Sequence, residues 1–204
     1  MSDRIQIRMA TPADAAALRA IYAPYVRRTA ITFEYALPTE QEFGGRIQNT
    51  LTRYPYLVAQ RDGVPLGYAY AGRFNGRQAY DWAVETSIYL AMEARGKGLG
   101  RTLYAALEEI LGAQRVLNCN ACIATCQGED RHLPVGSVPF HQHMGYHLVG
   151  RFKKCGYKFG TWYDMIWMEK HLATHPARPQ RFIPLEEMEA QWRDYERTID
   201  LEQG

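Results

Sequence analysis

The most constraining feature of this sequence is a strand, a glycine-rich loop and a helix that follow one another without a break. Along residues 80–90 (YDWAVETSIYL), apolar and polar side chains alternate with the period of a half-buried strand, which leaves Glu85 on the polar face. The run RGKGLG at 95–100 comes next, and apolar residues then recur at helical spacing at Leu103, Ala106, Leu107 and Ile110. This order predicts a layered protein in which a helix packs on a sheet.

Strand and helix patterns alternate on both sides of this unit. Thr39 and Glu42 form a capping box at the start of one helix, and Gly145 is a C-cap at the end of another. The predicted elements are strands at 5–9, 56–60, 66–72, 116–125, 148–155 and 159–168, and helices that begin at Thr11, Thr39 and Ser137.

The last part of the chain differs in composition. Three prolines within 171–184 predict an extended connector, and the apolar residues after it fit one face of an amphipathic helix. We expect this helix either to cover its own domain or to clasp a second subunit. Its apolar residues are Leu185, Met188, Trp192, Tyr195 and Ile199.

Composition narrows the class of protein. The 204 residues carry 24 Lys+Arg against 22 Asp+Glu, a formal net charge of +2, and nucleic-acid binders concentrate basic residues far more strongly. The length indicates one soluble domain. No apolar run approaches the roughly 20 residues of a membrane span, and the first residues lack the pattern of a secretory signal. We therefore expect a cytoplasmic protein with neither a nucleic-acid nor a membrane partner.

The cysteines and histidines raise the question of a metal site. Cys119 and Cys122 lie in a predicted strand, where their spacing puts them on opposite faces, so they cannot share one tetrahedral ion. His141, His143 and His147 include no helical pair of the kind used in the HExxH motif. We therefore expect buried free thiols and no metal.

The glycine loop is the first element with chemical content. Glycines allow close backbone approach, and the free N–H groups of a helix N-terminus favour an anion, so the loop suits a pyrophosphate. The GxxxxGK[ST] phosphate-loop pattern is absent, and RGKGLG lacks the GxGxxG spacing of a dinucleotide fold. The alternative is a plain strand-to-helix turn.

In its context, the loop at 95–100 resembles the Q/R-x-x-G-x-G/A motif of the GCN5-related N-acetyltransferase (GNAT) superfamily. The resemblance implies an α+β fold of three α/β/α layers, with a mixed, mostly antiparallel sheet whose splayed strands admit the pantetheine arm of acetyl-coenzyme A (acetyl-CoA), the co-substrate. It assigns the loop amides to the pyrophosphate. The residues that it implies for coenzyme binding are Ile88, Tyr89, Leu90, Arg95, Gly96, Lys97, Gly98, Leu99, Gly100, Arg101 and Phe140.

A closer resemblance lies within that superfamily. Residues 77–87 resemble the R-x-A-Y-x-W-x-V-E-x-S/T block of the phosphinothricin and methionine sulfoximine acetyltransferases. Phe33, the block 137–146 and the block 156–164 fit the same family. The resemblance implies a homodimer and a small amine as substrate. The apolar stripe of the tail and the aromatic strands near Trp162 and Trp167 also suggest a homodimer.

The resemblance covers residues 5 to about 170 and departs in two places. An asparagine often found shortly before the equivalent of Ser137 is missing, and Pro134, Val135 and Gly136 stand in its region. The tail is extra. We therefore expect an acetyltransferase domain at 1–170, followed at 171–204 by the connector and the amphipathic helix.

The chemistry of acetyl transfer points to two catalytic candidates. The attacking amine must be neutral, so a base has to remove a proton from the ammonium group, and Glu85 has the position and the carboxylate for this task. Its pKa rises if the cleft is dry. The resemblance places His141 beside the amine or the sulfur, as a base or an acid. The alternatives are a solvated strand carboxylate and a histidine on the polar side of a short helix.

Other residues are candidates for binding the acceptor. Arg77 and Tyr80 stand just upstream of the proposed base and are suited to a substrate carboxylate, with Phe33 on the apolar side. The alternative is that these are ordinary surface residues with no role in binding.

Two functions remain: an acetyl-CoA-dependent N-acetyltransferase for the α-amine of a small amino-acid-like substrate, or a non-catalytic acyl-CoA-binding module. Within the enzyme class, an aminoglycoside or a protein N-terminus is the rival acceptor.

Overall fold

The computed structural model describes residues 4–200. Residues 1–3 of the predicted acetyltransferase domain and residues 201–204 of the predicted tail lie outside the described range. The strands are β1 (Arg4–Met9), β2 (Tyr56–Arg61), β3 (Val64–Arg73), β4 (Ala83–Leu90), β5 (Asn118–Thr125), β6 (His147–Lys158), β7 (Thr161–His171) and β8 (Glu196–Asp200). The helices are α1 (Ala15–Arg28), α2 (Glu40–Leu51), α3 (Leu99–Ala113), α4 (Ser137–His143) and α5 (Ala190–Arg193).

Within the described residues, eight strands form one sheet in the order β6-β7-β5-β4-β3-β2-β1-β8. Neighbouring strands are antiparallel except β4 and β5, which run parallel. Helices α1 and α2 cover what we call the front face, and α3 covers the back face. The predicted three-layer α+β fold with a mixed, mostly antiparallel sheet is therefore confirmed.

Local signals correctly located several elements. The Thr39 side chain accepts a hydrogen bond from the backbone N–H of Glu42, and the Glu42 carboxylate accepts one from the backbone N–H of Thr39, as the capping box predicts. The hairpin of β2 and β3 forms as expected. Gly145 follows α4 with φ of +87°, a backbone conformation that favours glycine after a helix.

Two predicted strand starts, at Tyr80 and Phe159, fall where the chain turns instead. Gln78–Tyr80 form a 3-10 turn, so β4 begins at Ala83 rather than at Tyr80. β7 begins at Thr161 because Phe159 and Gly160 make the tight turn from β6, with φ of +51° and +77°. In both places the aromatic composition suggested a strand, and the chain turns instead.

The predicted C-terminal amphipathic helix is wrong. After Pro184 the chain forms a 3-10 turn at Leu185–Glu187, the single helical turn α5, and then β8, which pairs antiparallel with β1. The open edge of β1 offers backbone partners that a helix cannot use. The apolar residues reach the core of their own domain all the same: Leu185, Met188 and Tyr195 are buried there, and Trp192 and Ile199 pack against it. These residues therefore cover the chain's own back face.

The expectation of buried thiols holds only in part. Cys119 is buried, Cys122 and Cys126 are half-buried, and Cys155 is exposed because it lies in an irregular segment of the edge strand β6. Within residues 4–200, no group of three or more His, Cys, Asp or Glu side chains is arranged to hold a metal ion. No helix in the same range is long and apolar enough to cross a membrane.

Candidate active site

The parallel strands β4 and β5 separate after a short contact. They pair only where Ala83–Glu85 meet Asn118–Asn120. Beyond that point β4 stays paired with β3 as far as Leu90, and β5 stays paired with β7 as far as Thr125. A cleft of about 420 Å³ lies between the diverging strands.

The glycine loop closes one end of this cleft. Gly96 and Gly98 have φ of +73° and +77°, and Gly98 is the N-cap residue of α3, so the loop uses the conformational freedom that glycine provides. Gly100 is needed for a different reason, since a Cβ atom there would lie 3.1 Å from Cε2 of Phe140. The loop thus brings exposed backbone to the start of a helix, which suits an anionic phosphate group.

Most of the predicted coenzyme residues line the cleft. Lys97 and Leu99 do not: the Lys97 side chain is exposed, and the Leu99 side chain is buried in the core. The predicted residues that line the cleft are Ile88, Tyr89, Leu90, Arg95, Gly96, Gly98, Gly100, Arg101 and Phe140. A splayed strand pair with a phosphate-binding loop at its end therefore fits an extended acyl-CoA.

Backbone groups of β4 face the cleft. The hydroxyl of Tyr25 accepts a hydrogen bond from the N–H of Leu90 at 3.2 Å and donates one to the C=O of the same residue at 2.5 Å, on the side away from β3. Backbone groups alternate in direction along a strand, so the N–H of Ile88 also points away from β3 and into the splay, whereas that of Ser87 points toward β3. Of these two amides, that of Ile88 is therefore available to bind an oxyanion in the splay.

Glu85 lies on the front face of β4, at the junction of two cavities. Ala83, two residues before it on the same face, lines a second cavity of about 830 Å³, and Ser87, two residues after it, lines the coenzyme cleft. On β5, Asn120 lines the second cavity and Cys122 lines the cleft. Glu85 therefore lies on the stretch of β4 between the two cavities, which we call their junction, and it lines neither cavity itself. Burial raises the pKa of Glu85, which is the direction predicted for a base in a dry cleft.

His141 lies on the other side of the splay. Its Nδ1 is 2.7 Å from the carbonyl oxygen of Ser137, which can only accept, so Nδ1 carries the proton in the neutral ring. Its Nε2 then accepts from the hydroxyl of Tyr104, 3.0 Å away, and Tyr104 also lies 3.3 Å from Oγ1 of Thr86 on the back face of β4. Burial lowers the pKa of His141, and the bond to Ser137 opposes that shift in part.

The predicted substrate residues are not brought together. Tyr80 lines the second cavity. Arg77 is exposed, and its guanidinium has no hydrogen-bond or ion-pair partner within residues 4–200. Phe33 lines neither cavity; its ring packs over Gly156 and lies 6.1 Å from the ring of Tyr163. The role of each in substrate binding stays a prediction.

Sequence reasoning missed several residues of the site. Tyr25 belongs to the apolar stripe of α1, and nothing local distinguishes it from a core residue. Thr86 and Asn120 are buried polar residues whose bonds link the strands: Asn120 donates to the carbonyl of Val84, and Thr86 donates to the carbonyl of Asn120. A polar residue inside an apolar strand was the available signal for both.

Comparison with known proteins agrees with this geometry. Residues 7–167 match the family model described as acetyltransferase (GNAT) domain. The chain therefore belongs to the GNAT family, and it is an acetyl-CoA-dependent N-acetyltransferase. The tail beyond residue 167 lies outside the family match.

Named relatives narrow the comparison. The chain is 35% identical to a phosphinothricin N-acetyltransferase of Streptomyces viridochromogenes over 87% of this chain and 93% of the relative. It is 30% identical to the L-methionine sulfoximine/L-methionine sulfone acetyltransferase of Salmonella typhimurium over 84% and 96%. A crystal structure of a GNAT phosphinothricin acetyltransferase from Sinorhizobium meliloti in complex with acetyl-CoA aligns with a TM-score of 0.77 and 34% identity, over 85% of this chain and 92% of that one.

Proposed function

We propose that this enzyme transfers the acetyl group of acetyl-CoA to the α-amine of a small amino-acid-like substrate by direct attack in a ternary complex. The observation that carries the proposal is the position of Glu85 at the junction of the coenzyme cleft and a second cavity. The relatives named for phosphinothricin and methionine sulfoximine support an acceptor of this class.

The chemical roles follow from the two sides of the splay. Glu85 takes a proton from the substrate ammonium, and the neutral nitrogen attacks the thioester carbonyl carbon. The N–H of Ile88 donates to the oxygen as it becomes negative. The C–S bond then breaks, the acetylated nitrogen loses its second proton to solvent, and the departing thiolate takes a proton from solvent. The Tyr104 hydroxyl, whose one proton faces Nε2 of His141 in the resting enzyme, turns that proton toward the departing thiolate as a hydrogen bond. In this scheme His141 positions Tyr104, and Glu85 is the base.

Binding of the acceptor carboxylate falls to Arg77 and Tyr80. A guanidinium with no partner in the described structure is available for a carboxylate, and a charge-assisted bidentate pair is the strongest such contact. Tyr80 lines the cavity next to the base. A free α-carboxylate held there leaves the adjacent α-amine as the nucleophile, so we expect methyl esters to be poor acceptors.

The test of the proposed function is Glu85→Gln. It keeps the side-chain shape and removes the base, so we expect turnover to fall about a hundredfold or more at neutral pH, with partial recovery at high pH where free amine is already present. Release of the CoA thiol from acetyl-CoA, measured from pH 6 to 10 with a series of amino acids, provides the readout.

The same variant has a built-in control for folding. A raised carboxyl pKa means that the native state holds its proton more tightly than the unfolded state, so the wild type loses stability as pH rises from about 4.5 through the folded pKa. Glu85→Gln avoids that loss and should be at least as stable above this window by thermal unfolding. Full turnover across the pH range would reject the base, and absence of thiol release with every amino acid would favour another acceptor, an aminoglycoside or a protein N-terminus.

We also propose that the enzyme is a homodimer formed through the β6 edge. The proposal is supported by large apolar side chains that are exposed along β6 and the start of β7. They are Leu148, Val149, Phe152, Tyr157 and Trp162. A long apolar edge strand offers both unpaired backbone and hydrophobic surface to a second copy. The tail residues once considered for this role cover the chain's own core instead.

A further inference from the structure

The second cavity is built largely from aromatic side chains. Phe74, Tyr80, Trp82 and Trp167 line it. The Phe74 ring meets Trp167 edge to face, with 5.6 Å between ring centroids, and lies 6.0 Å from the ring of Tyr80. These rings offer the edges and faces against which a further aromatic ring packs favourably.

One wall of this cavity comes from the C-terminal connector. His175, Pro176 and Pro179 line it, and all three lie beyond residue 167, where the family match ends. Two hydrogen bonds fix the wall in place: the indole N–H of Trp82 donates to the carbonyl of Gln180 at 2.8 Å, and His175 Nε2 lies 2.7 Å from Oδ1 of Asn118. The wall is therefore a built part of the fold.

The ionisable groups of the cavity are engaged with other side chains. Arg151 pairs with Asp164 at 2.5 Å, and Glu169 lies 3.1 Å from Nε2 of His147. A charged substituent entering the cavity would compete with these pairs, whereas a neutral ring would not. The lining therefore favours an uncharged, flat, apolar group.

We propose that this cavity is the side-chain subsite of the acceptor and that it selects amino acids with an aromatic side chain. The proposal rests on the proposed function, since it uses Glu85 at the junction of the cavities to aim the α-amine at the cleft. The aromatic side chain extends away from the base, between the rings and the connector wall. Small acceptors leave that space unfilled.

The experiment measures kcat/KM for L-alanine, L-leucine, L-phenylalanine, L-tryptophan and L-methionine sulfoximine by thiol release, with the full chain and saturating acetyl-CoA. We expect phenylalanine and tryptophan to exceed alanine by about 10- to 100-fold, the scale set by burying one large apolar side chain. Equal or better rates for alanine and methionine sulfoximine would overturn the proposal and leave the proposed function standing.

Variants of Phe74 separate ring recognition from general effects. Phe74→Leu keeps apolar volume without the ring, and Phe74→Ala removes both. We expect the KM for phenylalanine to rise in the order wild type, leucine variant, alanine variant, reaching about tenfold or more. The values for alanine and for acetyl-CoA should stay unchanged. Val64→Ala, an exposed apolar site outside both cavities, is the control. An equal effect on all acceptors would contradict a side-chain subsite.

Two further readouts distinguish the possible failures. The first is calorimetric binding of N-acetyl-L-phenylalanine to the wild type and to Phe74→Ala. Binding that is lost in the variant would support the subsite even if no amino acid releases thiol. In that case the proposed function fails and the subsite stands. Absence of this binding together with absence of any aromatic preference overturns the subsite. Val149 and Phe152 line the cavity and also belong to the proposed β6 interface, so in the dimer a second copy lies at its rim. Light scattering of Phe74→Ala tests whether that copy fills the cavity itself: loss of the dimer mass would show this and reject the acceptor subsite.

Discussion

Gly156→Ala tests a contact that holds the α1–α2 loop against strand β6. A Cβ atom at this position would lie 2.0 Å, 2.4 Å and 2.7 Å from three ring atoms of Phe33. Carbon atoms in contact stay about 3.5 to 4.0 Å apart, so the ring has to withdraw by about 1.5 Å or more. Forced repacking of this kind costs about 1 to 3 kcal/mol.

The assay is thermal and urea unfolding of four proteins: wild type, Gly156→Ala, Phe33→Ala and the double variant. In a domain of this length the cost corresponds to a melting temperature about 2 to 12 °C lower for Gly156→Ala. The Phe33→Ala background removes the ring, so the same alanine should then cost little. Gly150→Ala is the stability control, because a Cβ in that glycine of the same strand meets nothing within 4 Å.

Two results would refute this reasoning. An unchanged melting temperature in Gly156→Ala would show that the ring moves aside freely. An equal loss in the presence and absence of the Phe33 ring would show that the cost arises in the backbone of β6 rather than at the contact.

Three further predictions concern binding, stability and assembly. Gly98→Val forces a branched residue to φ of +77°, so acetyl-CoA binding by calorimetry should be lost while the circular dichroism spectrum is kept. Lys158→Met leaves the carbonyls of Thr29 and Thr32 without their buried partner, at about 1 to 3 kcal/mol each, and should lower stability in urea while the exposed control Lys154→Met does not. Light scattering at micromolar concentration should give the mass of a dimer, and a monomer would contradict the β6 interface.

Local chemistry made part of the fold predictable. The capping box at Thr39 and the glycine after α4 are interactions between residues close in sequence, so their signals survive without knowledge of the fold. The strand that carries Glu85 and the loop at 95–100 were also recognisable from residues close together in the sequence. Their resemblance to one family then supplied the mixed sheet with its splayed strands, which no local pattern contains.

The tail shows why the remaining part was not predictable. Residues Leu185 to Ile199 carry apolar side chains at helical spacing, yet they form a turn and the strand β8. The open edge of β1, nearly 200 residues earlier in the chain, stabilises that strand by pairing Ile5 with Ile199. Thr198 and Ile199 are β-branched and were the only local hint. A periodic pattern identifies which residues reach the core, but pairing with a distant edge decides the backbone.

The site has the same limit, and it explains where specificity arises. The proposed base on β4 and the glycine loop lie in one continuous stretch of the chain and were visible in the sequence. The second cavity is lined by residues of the β3–β4 loop, β5, β6, β7 and the connector, so no single segment of the sequence predicts it. A chain can therefore keep its acetyl-transfer chemistry while changing its acceptor by altering segments outside that stretch, such as the connector that is hydrogen-bonded through His175 and Gln180.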